Sequence, residues 1–462
     1  MTETHTVLRA ELPNGLKVVV VHRPYLHLAR ATLFIGVGAR SETNTTSGIS
    51  HLTEHMMFKG CEGYPSSQSL DRAVEKLCGG LNGSTGYQWT TLDMDIPPYN
   101  LDQGLAILSS IVRTPVFSDL EIERGVILSE IQDSRGSSGV LDDPVDMLHA
   151  SVFKGSSLER TVLGTPENIK RFTVKDVRRH HGLYYRANNM VLVVASPMPS
   201  EGVLETVREH FSSVEKGSHN YRDVIFFKSQ ARPRVVVSRD NDESISLTVG
   251  FRGVSIWDPQ TYAQSLIARV LDDGMSSMLP HHLRTVLGAV YSVGVIQDSL
   301  KDTSLFGIWA KCDRKRVLDV VGGILHVLMD LMNHPLSEDD LDHYKKRGDY
   351  HMETMEDSMG ALTDFYGMYT SSGIEDPTWK FLDRTNHTSP RDILRLSNQI
   401  FHPSQLNISI TGKVPVSLER RVRGLVSESP YMQKASRIIH TEITTRGMTN
   451  RASKRHSRSS LA

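Results

Sequence analysis

The sequence predicts an α+β protein made of two homologous α/β domains, and three observations point there. The first is an internal duplication. Thr32-Leu33-Phe34-Ile35-Gly36 is echoed by Ser246-Leu247-Thr248-Val249-Gly250, and Val174-Lys175-Asp176-Val177 by Pro390-Arg391-Asp392-Ile393. Asn189-Met190-Val191-Leu192 likewise aligns with Gln405-Leu406-Asn407-Ile408, so order and spacing are kept although few residues match. Second, 462 residues are enough for two or more domains with ample core. Third, Ser212 to Tyr221, rich in Ser, Gly, Asn and charge, has the composition of a linker. The expected limits are 1–212 for the first domain, 213–221 for the linker, 222–433 for the second domain and 434–462 for a tail. That tail is basic and rich in Ser and Thr, which predicts disorder and leaves room for an acidic partner.

In chain order, Leu12-Pro13-Asn14-Gly15 reads as a turn leading into a buried strand over Leu16 to Val21. A short helix is expected around His51 to Met57. Thr46, Ser47 and Ser50 are its candidate N-caps, Leu52, Met56 and Met57 its apolar positions, and Lys59-Gly60 its end. A second helix follows Pro115-Val116-Phe117, where Ser118 and Glu121 could form a capping box and Leu120, Val126, Ile127 and Ile131 give the helical period.

Chemistry concentrates on these two helices. His51 and His55 stand at i and i+4, so both imidazoles share one helix face and can bind one divalent cation. Glu54 lies beside that face, where a carboxylate can accept a proton from water activated by the cation. Glu123 and Glu130 are two turns apart on the second helix, next to its apolar stripe. A carboxylate there is costly unless a cation compensates it.

His51-Leu52-Thr53-Glu54-His55-Met56-Met57-Phe58-Lys59-Gly60 and Glu123-Arg124-Gly125-Val126-Ile127-Leu128-Ser129-Glu130 resemble the pitrilysin and mitochondrial processing peptidase family of zinc proteases. The resemblance implies mostly antiparallel sheets with helices on one side. It implies one zinc per chain held by His51, His55 and Glu130, with Glu54 as general base and Glu123 as a supporting acid. Three protein ligands leave the fourth position open, as a catalytic zinc requires. Gly79-Gly80-Leu81-Asn82-Gly83-Ser84-Thr85 resembles the family's edge strand, which pairs with extended substrate and whose asparagine helps hold it. Gly83 stands where the family usually has alanine. The second copy keeps no ligand set over Leu266 to Ser277, but Arg284 and Tyr291 resemble the family's pair that reaches the scissile carbonyl from the other half. Halves of this size close around substrate in that family, which implies a dimer: a homodimer, or a heterodimer with a related subunit.

Composition narrows the partners. A formal net charge of −1 argues against general nucleic-acid binding, and no apolar run approaches the roughly 20 residues of a membrane span. Met1 to Glu11 lacks the cationic and apolar regions of a signal peptide. Three cysteines, Cys61, Cys78 and Cys312, offer no disulfide framework and suit a reducing cytoplasm. Cys61 is expected to be a buried thiol, because Glu130 completes the ligand set. Gly36-Val37-Gly38 lacks the third glycine of a dinucleotide fingerprint, and no serine-hydrolase elbow or phosphate-binding loop occurs. The expectation is therefore a zinc endopeptidase acting on unfolded or small peptides. A catalytically silent scaffold or regulatory subunit is the alternative, and loss of a ligand or of Glu54 would be its mark.

Overall fold

The computed structural model describes residues 6–135, 141–218, 230–374 and 378–434. Runs such as Val18 to Val21 and Val191 to Ala195 contain almost nothing but apolar, mainly β-branched residues, which belong in strands covered on both faces. They form the middle of a six-stranded sheet made of β1 (Thr6–Glu11), β2 (Lys17–His22), β3 (Ala29–Ile35), β4 (Gly80–Thr85), β5 (Thr90–Ile96) and β6 (Met190–Ser196), in the order β1-β2-β6-β3-β5-β4. A five-stranded sheet holds β7 (Arg234–Arg239), β8 (Ser244–Gly253), β9 (Ser292–Ser299), β10 (Ser304–Asp313) and β11 (Asn407–Gly412), in the order β7-β11-β8-β10-β9.

The duplicated sequence is a duplicated topology. β2 and β6 are parallel, as are β7 and β11, while every other described strand pair is antiparallel. The second pair of echoes starts equivalent helices, Val174–Tyr184 and Pro390–Ile400, each opened by a capping box, Thr173 with Asp176 and Ser389 with Asp392. Each sheet carries its own apolar core on one face.

The other face of each sheet is covered by a helix from the opposite half. Helix Met359–Ser371 lays Met359, Leu362 and Tyr366 on Val19, Val21, Phe34, Val191 and Val193 of the first sheet. Reciprocally, helix Pro144–Val152 packs against β8 and β11, with Leu148 so close to Gly250 that an added Cβ there would lie 2.6 Å from Leu148 Cδ2. Buried polar contacts register the halves: Thr32 Oγ1 donates to Thr363 Oγ1 at 3.0 Å, and Arg40 pairs with Asp302 at 2.9 Å. Breaking a buried ion pair strands a charge, so this contact discriminates strongly between correct and incorrect docking.

Part of the expected linker packs on the first half. Asn14 Nδ2 donates to Val214 O at 3.0 Å, Val214 is buried in the first core, and Gly217 N donates to Asn188 Oδ1 at 2.7 Å. Residues 219–221 of that segment, and the tail beyond Lys434, lie outside the described residues. Among the described residues no single helix is long and apolar enough to cross a membrane.

Two helical glycines make opposite predictions. A Cβ at Gly367 would collide with the Phe34 ring at the seam between the halves, whereas nothing lies within 4 Å of a Cβ at Gly202. Gly367→Ala should destabilise the protein by about 1–3 kcal/mol through overpacking, while Gly202→Ala should stabilise it by about 0.5–1 kcal/mol through helix propensity. Thermal or urea denaturation measures both, and equal effects would remove the close approach at Phe34 as the reason for the glycine.

Candidate metal and catalytic site

The motif helix spans Ile49–Met57 and buries Ile49, Leu52, Met56 and Met57 in the first core. That places His51, Glu54 and His55 along its boundary with β4 and with helix Leu120–Asp133. On the second helix Glu123 is buried with Leu120, Ile127 and Ile131, and Glu130 stands two turns further along the same side. The two helices thus converge with their ionisable faces together.

Both helix starts differ from expectation. The N-cap of the motif helix is Gly48 in the left-handed region (φ 94°), and Thr46, Ser47 and Ser50 contribute no side-chain cap. Two amides at this start are met by Glu42, whose Oε2 accepts from the N-cap Gly48 N and whose Oε1 accepts from Ser50 N, each at 2.8 Å, while Ile49 N donates to Thr46 O. Burial pushes the Glu42 carboxyl up to about 7 despite these bonds. The second helix starts at Asp119 (φ 60°) without a side-chain cap. Its expected Ser118–Glu121 box is absent because the N-cap falls one residue later, at Asp119, and the Ser118 hydroxyl is turned to Lys59 O (3.2 Å) and Asp119 Oδ2 (2.9 Å).

The candidate ligand atoms form a small triangle. His51 Nε2 and His55 Nε2 are 3.2 Å apart, and Glu130 carboxylate oxygens lie 3.8 Å from each. Donors bound to a tetrahedral zinc at about 2.0–2.1 Å stand roughly 3.3 Å from one another, so the three atoms fit one such ion. Burial beside His55 lowers the His51 pKa to about 4, which keeps the imidazole neutral and ready to ligate at neutral pH. Glu130 Oε2 is buried and has no hydrogen-bond partner among the described residues, a cost that a cation would remove.

Glu123 acts on His55 from behind. Its Oε2 lies 3.0 Å from His55 Nδ1, and its Oε1 pairs with Lys59 Nζ at 2.6 Å. With Nδ1–H donated to Glu123, the Nε2 lone pair of His55 points toward His51 and Glu130. Burial pushes the Glu123 carboxyl up, but Lys59 and His55 outweigh it and hold it below the usual range. The costly carboxylate expected on this helix is therefore compensated by a lysine as well as by the site itself.

Glu54 is buried between the motif helix and β4. Thr85 Oγ1 donates to its Oε2 at 3.1 Å, and burial raises its pKa, which favours a group that takes and returns protons. An added Cβ at Gly83 would come within 2.7 Å of Glu54 Oε1 and of the Phe58 ring. Glycine in place of the family's alanine therefore leaves room for the carboxylate to lie against the strand. β4 is the edge of its sheet, with one side unpaired. Along it Gly83 and Thr85 face Glu54, so alternation turns the exposed Asn82 to the opposite face. Cys61 is buried, with a free thiol, and is not among the clustered ligand atoms.

Arg284 and Tyr291 lie elsewhere. Arg284 belongs to the helical turn Pro280–Val286, is exposed and touches Met275 Sδ at 3.9 Å. Tyr291 is 58% exposed and donates to Asp313 Oδ1 at 2.8 Å. Among the described residues neither contacts the ligands. In the second copy, helix Thr261–Leu271 is followed by Gly274 (φ 113°) as the motif helix is by Gly60 (φ 118°). Nine and five residues before that glycine, where the first copy has His51 and His55, the second has Ser265 and Arg269. Arg269 pairs with Asp273 at 3.2 Å, so a fixed cation occupies the place of a metal ligand.

Similarity to known proteins agrees with this geometry. Residues 17–166 match the model of "Insulinase (Peptidase family M16)", and residues 171–347 match that of "Peptidase M16 inactive domain". The chain is 30% identical over 332 residues to mitochondrial-processing peptidase subunit beta of Dictyostelium discoideum, covering 68% of this chain and 69% of that protein. It is 26% identical over 401 residues to an uncharacterized zinc protease of Rickettsia felis, covering 85% and 94%. A protease from Helicobacter pylori has the same fold, with a TM-score of 0.79 at 20% identity over 88% of this chain and all of that one. The clustered motif, the duplicated sheets and these relatives together place the chain in the insulinase family of peptidases.

Proposed function

We propose that this protein is a zinc-dependent endopeptidase that cleaves unfolded or small peptides. The observation that carries the reading is the convergence of His51, His55 and Glu130 on one point with Glu54 buried beside it. A scaffold would have no need to keep both the ligand triangle and the base. Zinc held by those three residues would supply the Lewis acid that polarises the scissile carbonyl and brings the pKa of water toward about 7. Glu54 takes the proton of the attacking water as oxygen adds to the carbonyl carbon, and returns it to the amine as the C–N bond breaks. Thr85 and the close wall of Gly83 hold Glu54 for both transfers. The substrate backbone adds as a strand to the free side of β4, which requires an extended chain and so selects unfolded segments. Three free cysteines suit a reducing compartment, and the proposed location is the cytoplasm.

The variants separate ligand from base. His51→Ala, His55→Ala or Glu130→Gln should weaken zinc binding sharply, whereas Glu54→Gln should retain about one zinc per chain and lose about 10²–10⁴-fold in turnover. Metal analysis and a peptide cleavage assay on the same preparations provide the check. An empty site in Glu54→Gln would contradict its role as base, and full zinc affinity in Glu130→Gln would move the third ligand elsewhere.

The working unit of this reading is a dimer, most simply a homodimer, in which Arg284 and Tyr291 of one chain face the metal site of the other. Their exposure, apart from their own chain's ligands, supports it. There they donate to the carbonyl oxygen as its charge develops. Mixing Glu54→Gln protein with the Arg284→Ala, Tyr291→Phe double variant should restore activity, up to about half per mixed dimer if the sites act independently. No recovery despite demonstrated chain exchange would mean that each chain completes its own site, or that a related subunit supplies the missing half.

A further inference from the structure

His51 and His55 are aimed by different means. His55 has a carboxylate behind its ring, while His51 Nδ1 is buried with no partner among the described residues. Among the described residues nothing behind the His51 ring orients it as Glu123 orients His55: its one hydrogen-bond contact is from Nε2 to His55 Nε2, so its position depends on the backbone that carries it. That backbone is the first turn of the motif helix, which begins at Ile49 after an N-cap glycine that has no side chain to offer. Uncapped first turns fray, because their amides have no partner within the helix.

We propose that Glu42 is a positioning residue for the metal site: its carboxylate clamps the first turn of the motif helix and thereby sets His51 against His55 and Glu130. Both of its oxygens are used, one on Gly48 N and one on Ser50 N, and Ser50 directly precedes His51. These two acceptors meet amides for which the helix itself supplies no partner. Glu42 is itself anchored. Its backbone carbonyl accepts from Arg160, and its amide donates to Ala39 O at 3.2 Å. Asn168 Nδ2 holds the intervening loop through Asn44 O (2.9 Å) and Ser47 O (3.2 Å). Behind Gly48 there is no slack: an added Cβ would lie 2.8 Å from Ile169 Cδ1 and 2.9 Å from Leu163 O. The clamp thus ties the start of the helix to a wall built by Arg160, Leu163, Asn168 and Ile169. Its loss would release His51 while leaving His55, on the last turn, held by Glu123.

The inference rests on the zinc reading, and its test separates the two. Zinc affinity is measured by competition with a chelating dye for the parent, Glu42→Ala, Glu42→Gln and Thr173→Ala proteins, together with the thermal midpoint of each without metal. Thr173→Ala is the control, because it removes the cap of helix Val174–Tyr184, which carries no ligand. Glu42→Ala should weaken zinc binding about 10–100-fold, as loss of a group that orients a ligand does. Glu42→Gln keeps the shape and one acceptor oxygen, so it should fold and lose less. Thr173→Ala should lower the thermal midpoint and leave zinc affinity at the parental value. Parental affinity in both Glu42 variants, or an equal loss in Thr173→Ala, would overturn the positioning role alone. A parent protein that binds no zinc would overturn the metal reading and this inference with it.

Discussion

Crowding four ionisable side chains into one half-buried cleft is the constraint on which the rest of this structure depends. His51, Glu54, His55 and Glu123 all sit at the edge of the first core, where an unpaired charge is expensive. Each is compensated differently. Lys59 neutralises Glu123, Glu123 orients His55, burial keeps His51 neutral, and Thr85 satisfies one oxygen of Glu54. What remains is a cluster of two imidazole nitrogens and the Glu130 carboxylate with the spacing to share one cation, and the fold supplies three walls to hold it: the motif helix, helix Leu120–Asp133 and the edge strand β4.

Those walls exist because the sheet behind them is rigid. β3 and β6 are buried on both faces, by the first core on one side and by helix Met359–Ser371 on the other. The second half thus stabilises the sheet that carries the site without contributing a ligand to it. Its own counterpart of the motif helix carries the Arg269–Asp273 ion pair instead of the candidate ligands, with Arg347 adding a second cation to Asp273 at 3.0 Å. One copy keeps the ligand chemistry and the other lends packing surface and, in the proposed dimer, the Arg284 and Tyr291 side chains.

Much of this was legible in the sequence for physical reasons that can be named. The two histidines at helical spacing and the later pair of glutamates carry their geometry in their intervals, since a helix converts spacing into facing. The duplication was visible because strand and cap positions recur in order, as Thr173 with Asp176 and Ser389 with Asp392 do. Caps were misread where the partner is not local. Ser118 stands one residue before the actual N-cap, Asp119, and turns its hydroxyl to Lys59 O and Asp119 Oδ2, while Glu42 reaches amides six and eight residues away, an interval no capping rule contains. The exchange of helices between halves was also hidden. An amphipathic face declares that it will be buried, not which sheet will bury it, and Gly367 and Gly250 acquire meaning only once Phe34 and Leu148 are seen to press on them.

The most direct test of the central claim is X-ray absorption at the zinc edge on the purified protein loaded with one equivalent of metal. Two imidazole nitrogens at about 2.0–2.1 Å with the remaining donors all oxygen, and loss of one imidazole in His51→Ala, is the predicted first shell. A sulfur at about 2.3 Å, as Cys61 would give, or an unchanged spectrum in His51→Ala, would contradict the account.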